Sequence, residues 1–344
     1  MRFKSITAFI FTYCLVMLCS CKQDNIVNDE HLIEIKTIYL SIDPPSSQTG
    51  DDPIDSTENE IATRTGANVT SSSWIGYFEH NDTLGIFPEG GYQIPFIPPL
   101  EEGEKVSSMA IEAQGWMTKE GVLYAAYMPF NYYYRQFNKI PWSFFRKTPK
   151  QMENGIANNV DVGQDHLGPY ILWGASPTLS EGDGRILFNL RHQGCIVRVQ
   201  CRMPLGGTFV KAVLASSKSD AFITHGTLDL FSEDQPFTAK GYTNYISILF
   251  NNFEVASSEV ITFYFVAPPS NLTGTDLTLY VWDNQGNCYS GPKNSLTSSQ
   301  GNWKKHGYVK LTYTNLSADY NVPSVYLTPF EYEEEIDTGV ALED

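Results

Sequence analysis

The chain has 344 residues, 42% of them hydrophobic, which is enough apolar surface for a packed core and excludes general disorder. Its 23 Lys and Arg stand against 39 Asp and Glu, a formal net charge of -16, and that balance argues against nucleic acid as a partner. The 20 Tyr, 20 Phe, 26 Gly and 19 Pro favour many short strands and turns over long helices, and the length predicts two domains.

Arg2 and Lys4 open the chain as a short positive segment, and Ile6–Leu18 is almost wholly apolar. About 13 such residues are too few to cross a hydrocarbon core of ~30 Å, so residues 1–20 read as a signal peptide and are left out of the fold. The run Leu18-Cys19-Ser20-Cys21 resembles a bacterial lipobox, in which a small residue precedes a cysteine that is lipidated, as with palmitate, and becomes the mature N-terminus. Cys21 fits because Ser20 before it is small, whereas Cys19 follows the bulky Leu18. The alternative is an ordinary secretory signal with an incidental cysteine. No later stretch approaches 18 consecutive apolar residues, so the anchor, if present, is the lipid. Once Cys14, Cys19 and Cys21 are set aside, Cys195, Cys201 and Cys288 remain, an odd number. Cys195 and Cys201 on one extended strand would stand about 20 Å apart and could not bond. A bridge to Cys288 stays open, but buried small apolar side chains are the expected role. No CxxC or paired His suggests zinc, and no metal or cofactor is expected.

After a polar tether, Lys22–Glu30, Leu32–Ile42 reads as a strand. Ile33, Ile35, Thr37 and Tyr39 fall on one face and Ile38, Leu40 and Ile42 on the other, so burial on both faces is expected toward its end. Asp43–Thr63 holds Pro44, Pro45 and Pro53 with several Ser, Thr, Asp and Glu; it cannot bury apolar surface and reads as an extended linker. It ends at Arg64, the only Arg or Lys between Lys36 and Lys105. Beyond it the period is mostly two. Strands are expected at Thr83–Phe87, then at Ser107–Ala113 and Val122–Met128 around a turn at Thr118–Gly121. Pro129–Gln164 is irregular and rich in Tyr, Phe and Asn, while Arg185–Arg202 alternates again. The breaker Pro204-Leu205-Gly206-Gly207 marks the expected domain boundary. Further strands are expected at Phe209–Ala215, Gly226–Phe231, Tyr245–Phe250, Val260–Ala267, Leu277–Asp283 and Tyr308–Thr314, with a weaker one at Pro323–Phe330 and an acidic tail, Glu331–Asp344. Asp283-Asn284-Gln285-Gly286-Asn287 reads as a turn. No repeat of 20–50 residues is visible, so two β-sandwiches are the simplest architecture.

Taken in order, these residues resemble the fimbrillin lipoproteins of Bacteroidales, the stalk, tip and anchor subunits of surface pili. The lipobox at Cys21 is followed by a strand and a loose linker that closes with Ala62-Thr63-Arg64-Thr65-Gly66. Trp74, then Asp82-Thr83-Leu84-Gly85-Ile86-Phe87, is similar to the family's aromatic, then acidic-x-hydrophobic-Gly-hydrophobic-aromatic pattern. Tyr124–Pro129, Phe188–His192 and Ile196–Val199 follow in the family's order, and the resemblance runs over roughly residues 18–290. It implies an all-β fold of two β-sandwich domains in tandem, transthyretin-like and Greek-key. The expected division is signal peptide 1–20, lipidated pro-segment 21–64, N-terminal sandwich 65–205, and C-terminal sandwich with acidic tail 206–344.

The resemblance also implies a mechanism. An Arg-specific protease cuts between Arg64 and Thr65, the segment with the first strand leaves, and a strand of the next subunit fills the groove. The partners implied are other pilus subunits, the outer membrane through the N-terminal lipid, and that protease. The location implied is the outer membrane, cell surface and fimbrium. The alternative is a surface lipoprotein that binds glycan or protein and never polymerises. Asp55-Ser56-Thr57 and Asp82-Thr83-Leu84 look like the short O-glycosylation motif of this bacterial group.

An enzyme is not expected. His31, His80, His166, His192, His225 and His306 are scattered, and neither H-E-x-x-H nor G-x-S-x-G occurs. Asp161 and Asp165 flank Gly163 without EF-hand spacing, and Glu101, Glu102 and Glu104 read as a solvated run. Tyr132, Tyr133, Tyr134, Phe137, Trp142, Phe144 and Phe145 form the one unusual cluster, either a loop folded over the core or a sugar- or partner-binding surface.

Overall fold

The computed structural model describes residues 32–43, 46–47, 67–69, 74–134, 139–143, 172–180, 182–232 and 234–326. It is an all-β protein. The first large sheet contains β1 (Leu32–Ile42), β2 (Leu84–Pro88), β3 (Ile94–Phe96), β4 (Ser108–Lys119), β5 (Leu123–Met128), β6 (Trp173–Leu179) and β7 (Arg185–His192). Their order is β3-β2-β5-β6-β7-β1-β4. Every pairing is antiparallel except that of β7 with β1, which is parallel.

Alternation makes one face of this sheet a core. β7 points Ile186, Phe188 and Leu190 inward and leaves Leu187 exposed between them. Ile35, Ile38, Leu40 and Ile42 of β1 join that layer, as do Tyr124, Ala126 and Met128 of β5 and Trp173 of β6. Residues 124–128 of β5 are buried on both faces, because Ala125 and Tyr127 belong to a second, larger core.

β1 departs from the alternation read in its sequence. Its register shifts between Ile35 and Thr37, so Ile35 is buried with Ile38, Leu40 and Ile42 instead of opposite them. At this shift Lys36 alone stands against Ala113, Gln114 and Gly115 of β4, so the surplus lies on β4; on β1 the amides of Lys36 and Thr37 share one acceptor, and every later side chain lies on the other face. Tyr39 is therefore 37% exposed, and the outer face is not buried toward the strand's end as expected.

Two further sheets are built mainly from β8 (Cys195–Arg202), β9 (Gly207–Ser216), β10 (Tyr245–Val255), β11 (Val260–Ala267), β12 (Asp276–Asp283), β13 (Cys288–Ser290), β14 (Gly307–Tyr313) and β15 (Ser317–Ala318). One sheet runs β14-β8-β11, with Ser46–Ser47 added beside β14; another runs β10-β9-β12-β13-β15. Val197, Phe209, Leu214, Phe263, Leu279 and Val309 from these two sheets meet in one core, which is the sandwich-like part of the fold. Along the chain the change of sheet falls at Gln193–Gly194, between β7 and β8. Pro204-Leu205-Gly206-Gly207 leads from β8 into β9. A small sheet of Ile140–Ser143, His225–Leu228 and Phe237–Ala239 draws part of the irregular aromatic stretch into the core.

The last described residues, Ser324–Tyr326, form a single 3-10 turn where a weak strand was expected. Tyr326 is buried against Val213, Tyr245 and Trp282, and its carbonyl accepts a hydrogen bond from Lys211 Nζ. A side chain that finds an aromatic pocket outweighs the weak extended preference of its neighbours.

Candidate functional site

The site is the channel that holds β1. Ile38, Leu40 and Ile42 lie level with Ile186, Phe188 and Leu190 of β7 on one side, and Ile38 and Leu40 with Ile111 and Met109 of β4 on the other. β4 pairs with no other strand of this sheet. Each fully buried aliphatic side chain of β1 contributes about 1.5–3 kcal/mol of transfer free energy. Withdrawing β1 would therefore uncover an apolar trough and two rows of ladder N–H and C=O groups.

The entry to the parallel pairing is set by Gly184, at φ +84°. Its carbonyl accepts from the amides of both Lys36 and Thr37, at 2.7 and 3.2 Å. A Cβ at Gly184 would lie 2.3 Å from the carbonyl oxygen of Glu34. Only glycine meets both the left-handed backbone and the close approach.

At the other end β1 runs into a polar junction. The Asp43 amide donates to the Leu190 carbonyl at 3.0 Å, and Arg191 Nε meets Asp43 Oδ2 at 2.6 Å. Ser46 and Ser47 then pair in parallel with Gly307 and Tyr308 of β14. The segment expected to be a free linker from Asp43 onward therefore begins as a second, short strand. Its Ser-Ser composition carries no strand signal, and the pairing is decided by the open edge of β14.

Behind this junction His192 is fully buried, edge-on to Trp173 at 5.9 Å and to His306 at 5.8 Å. His306 Nδ1 lies 2.6 Å from the His192 carbonyl, so Nδ1 carries the proton and donates it. Burial pushes His192 down to about 3, with the neighbouring His306 adding to it. Burial likewise pushes His306 down to about 4; Lys305 and Arg191 lower it further, while Asp43 and the bond to His192 act the other way. Gln193 Nε2 donates to Gln235 Oε1 at 3.0 Å, and Gln235 Nε2 to the Ala175 carbonyl at 2.6 Å, which pins the bend between the sheets. His192 is thus a packed histidine of the interior.

Cys21, Arg64 and Thr65 lie outside the described residues, as do His31, His166, Asp161, Asp165, Phe137, Phe144, Phe145 and Asp55-Ser56-Thr57. Cys195, Cys201 and Cys288 are buried and unbonded. Burial raises all three thiols, Cys288 to about 12. Glu101, Glu102 and Glu104 are exposed. The aromatic cluster divides: Tyr134 and Trp142 are core residues, whereas Tyr132 and Tyr133 are exposed. Among the described residues no three His, Cys, Asp or Glu gather where they could hold a metal ion. No described helix is long and apolar enough to cross a membrane.

Sequence reasoning missed Gly184, Arg191, His306 and Ser46–Ser47. Only Gly184 carried a signal, the turn composition of Glu181-Gly182-Asp183-Gly184.

No protein-family model matches the chain, and no curated protein matches it. Its structure is similar to that of a candidate cell adhesion protein from Bacteroides uniformis, at 15% identity over 70% of this chain and 91% of that one, with a TM-score of 0.42. A candidate cell adhesion protein from Bacteroides ovatus is similar at 12% identity over 82% and 95%, with a TM-score of 0.41. A fimbrial protein from Bacteroides vulgatus is similar at 11% identity over 69% and 91%, with a TM-score of 0.35.

Proposed function

We propose that this chain is a structural subunit of a bacterial surface fimbrium, exported as a lipoprotein precursor anchored through Cys21 at the outer membrane. In this reading it is a stalk, tip or accessory pilin. An Arg-specific protease cuts between Arg64 and Thr65. The segment carrying β1 then leaves, and a strand of another subunit takes its place. The observation that carries the reading is the place of β1, inside the first sheet with β7 and β4 on either side. A strand at that position closes the sheet in the precursor and opens a trough when removed. The Pro-, Ser- and acid-rich sequence up to Arg64 supplies the substrate a protease needs. Strand addition would satisfy the opened ladder and cover the apolar side chains again.

The test is the N-terminal sequence of the protein recovered from cell-surface fibres. A start at Thr65 supports the reading. A lipidated Cys21 at the N-terminus of all surface protein refutes it and favours a surface lipoprotein that does not polymerise.

A further inference from the structure

The channel of β1 does not end where the first sheet ends. Ile42 is level with Leu190 in β7, the next residue pairs its carboxylate with Arg191 at 2.6 Å, and Ser46–Ser47 lie on β14 of the second sheet. We infer that residues 32–43 and 46–47 occupy one peptide site reaching over both sheets, and that its replacement ligand is an extended segment of a neighbouring subunit with alternating apolar residues followed directly by an acidic one. The inference rests on the exchange reading above and adds the chemistry and reach of the incoming strand.

The apolar part follows from Ile38, Leu40 and Ile42, which fill alternate positions above a buried layer. The acidic residue follows from Arg191, whose Nε has Asp43 as its carboxylate partner in a protein of net charge -16. Lys305 lies close behind, its Nζ donating to the Asp234 carbonyl at 2.5 Å and to that of Gln235. His306 sits beside both as a neutral ring and the charge of Asp234 acts on Lys305, so Arg191 is the cation whose carboxylate an uncharged ligand would fail to replace. The reach follows from β14: with Ser46–Ser47 gone, its outer side faces no other strand of its sheet. A ligand ending level with Ile42 would leave that edge open.

The experiment uses the full chain with a site-specific protease sequence inserted between Thr57 and Glu58, so that it does not depend on Arg64. The cut protein is diluted from urea into an excess of fluorescent peptide, and binding is read by anisotropy. Three peptides are compared: residues 32–47, residues 32–42, and residues 32–47 with Asp43→Asn. The long peptide should bind about 10-fold more tightly than the short one, since the Asp43 amide bond to Leu190, two ladder positions on β14 and a carboxylate are lost. Asp43→Asn should weaken binding about 3- to 5-fold, and that loss should vanish in Arg191→Gln protein. Equal affinity of the long and short peptides overturns the inference and leaves strand exchange standing. Binding of none of the three overturns both.

Discussion

The carbonyl oxygen of Gly184 accepts a hydrogen bond from the amide of Lys36 at 2.7 Å, and this contact sets the phase of β1. Lys36 shares that acceptor with Thr37, and the change of phase there decides that Ile38, Leu40 and Ile42 point into the core while Tyr39 points out.

Gly184→Ala should therefore destabilise the full-length chain. A left-handed backbone costs a non-glycine residue about 1–2 kcal/mol, and the new Cβ meets the Glu34 carbonyl oxygen at 2.3 Å. A fall in Tm of several degrees is expected by calorimetry, with faster protease digestion of residues 32–42. An unchanged Tm would mean that the bulge is not held at this point.

Arg64→Ala should leave export and lipidation intact and trap the full-length monomer. Surface fractions would show the uncut chain on immunoblots and no SDS-resistant ladder. Fibres built from Arg64→Ala protein would sink the processing step.

Cys21→Ala should abolish metabolic lipid labelling and membrane retention, whereas Cys19→Ala should not. The reverse result would move the attachment site to Cys19.

The junction histidines predict a pH dependence with a definite sign. His192 and His306 are held at about 3 and about 4, below the ordinary value of about 6.5 that each recovers on unfolding. Between those limits the unfolded chain binds more protons than the folded one, so their contribution is complete above about pH 6.5 and is lost as pH falls toward 4. Each proton taken up lowers stability by about 1.4 kcal/mol per pH unit. Urea midpoints at pH 7.5 and pH 5 should differ more for the natural chain than for His306→Asn, in which one histidine is gone and Asn tolerates the φ of +59°. Equal differences in the two proteins would show that His306 contributes nothing to the dependence.

Local chemistry was legible wherever it sufficed to decide structure. Val260–Ala267 has the bounds expected from its sequence. The turn after β12 forms because Asp283 accepts from the amides of Gln285 and Asn287 at 3.0 and 2.8 Å, contacts made within five residues. The all-β character, the first strand and the buried cysteines were visible for the same reason. β6 was not, because Gly174, Ala175 and Pro177 dilute its pattern and its neighbours supply the ladder. The parallel placement of β1 beside β7, the phase shift at Lys36, the change of sheet at Gln193–Gly194 and the pairing of Ser46–Ser47 with β14 were decided by tertiary structure alone. Each depends on a partner far along the chain, as Lys36 depends on Gly184 and Ser46 on Gly307. A strand's own residues determine that it can pair and bury a face; which edge is open to receive it depends on segments distant in sequence.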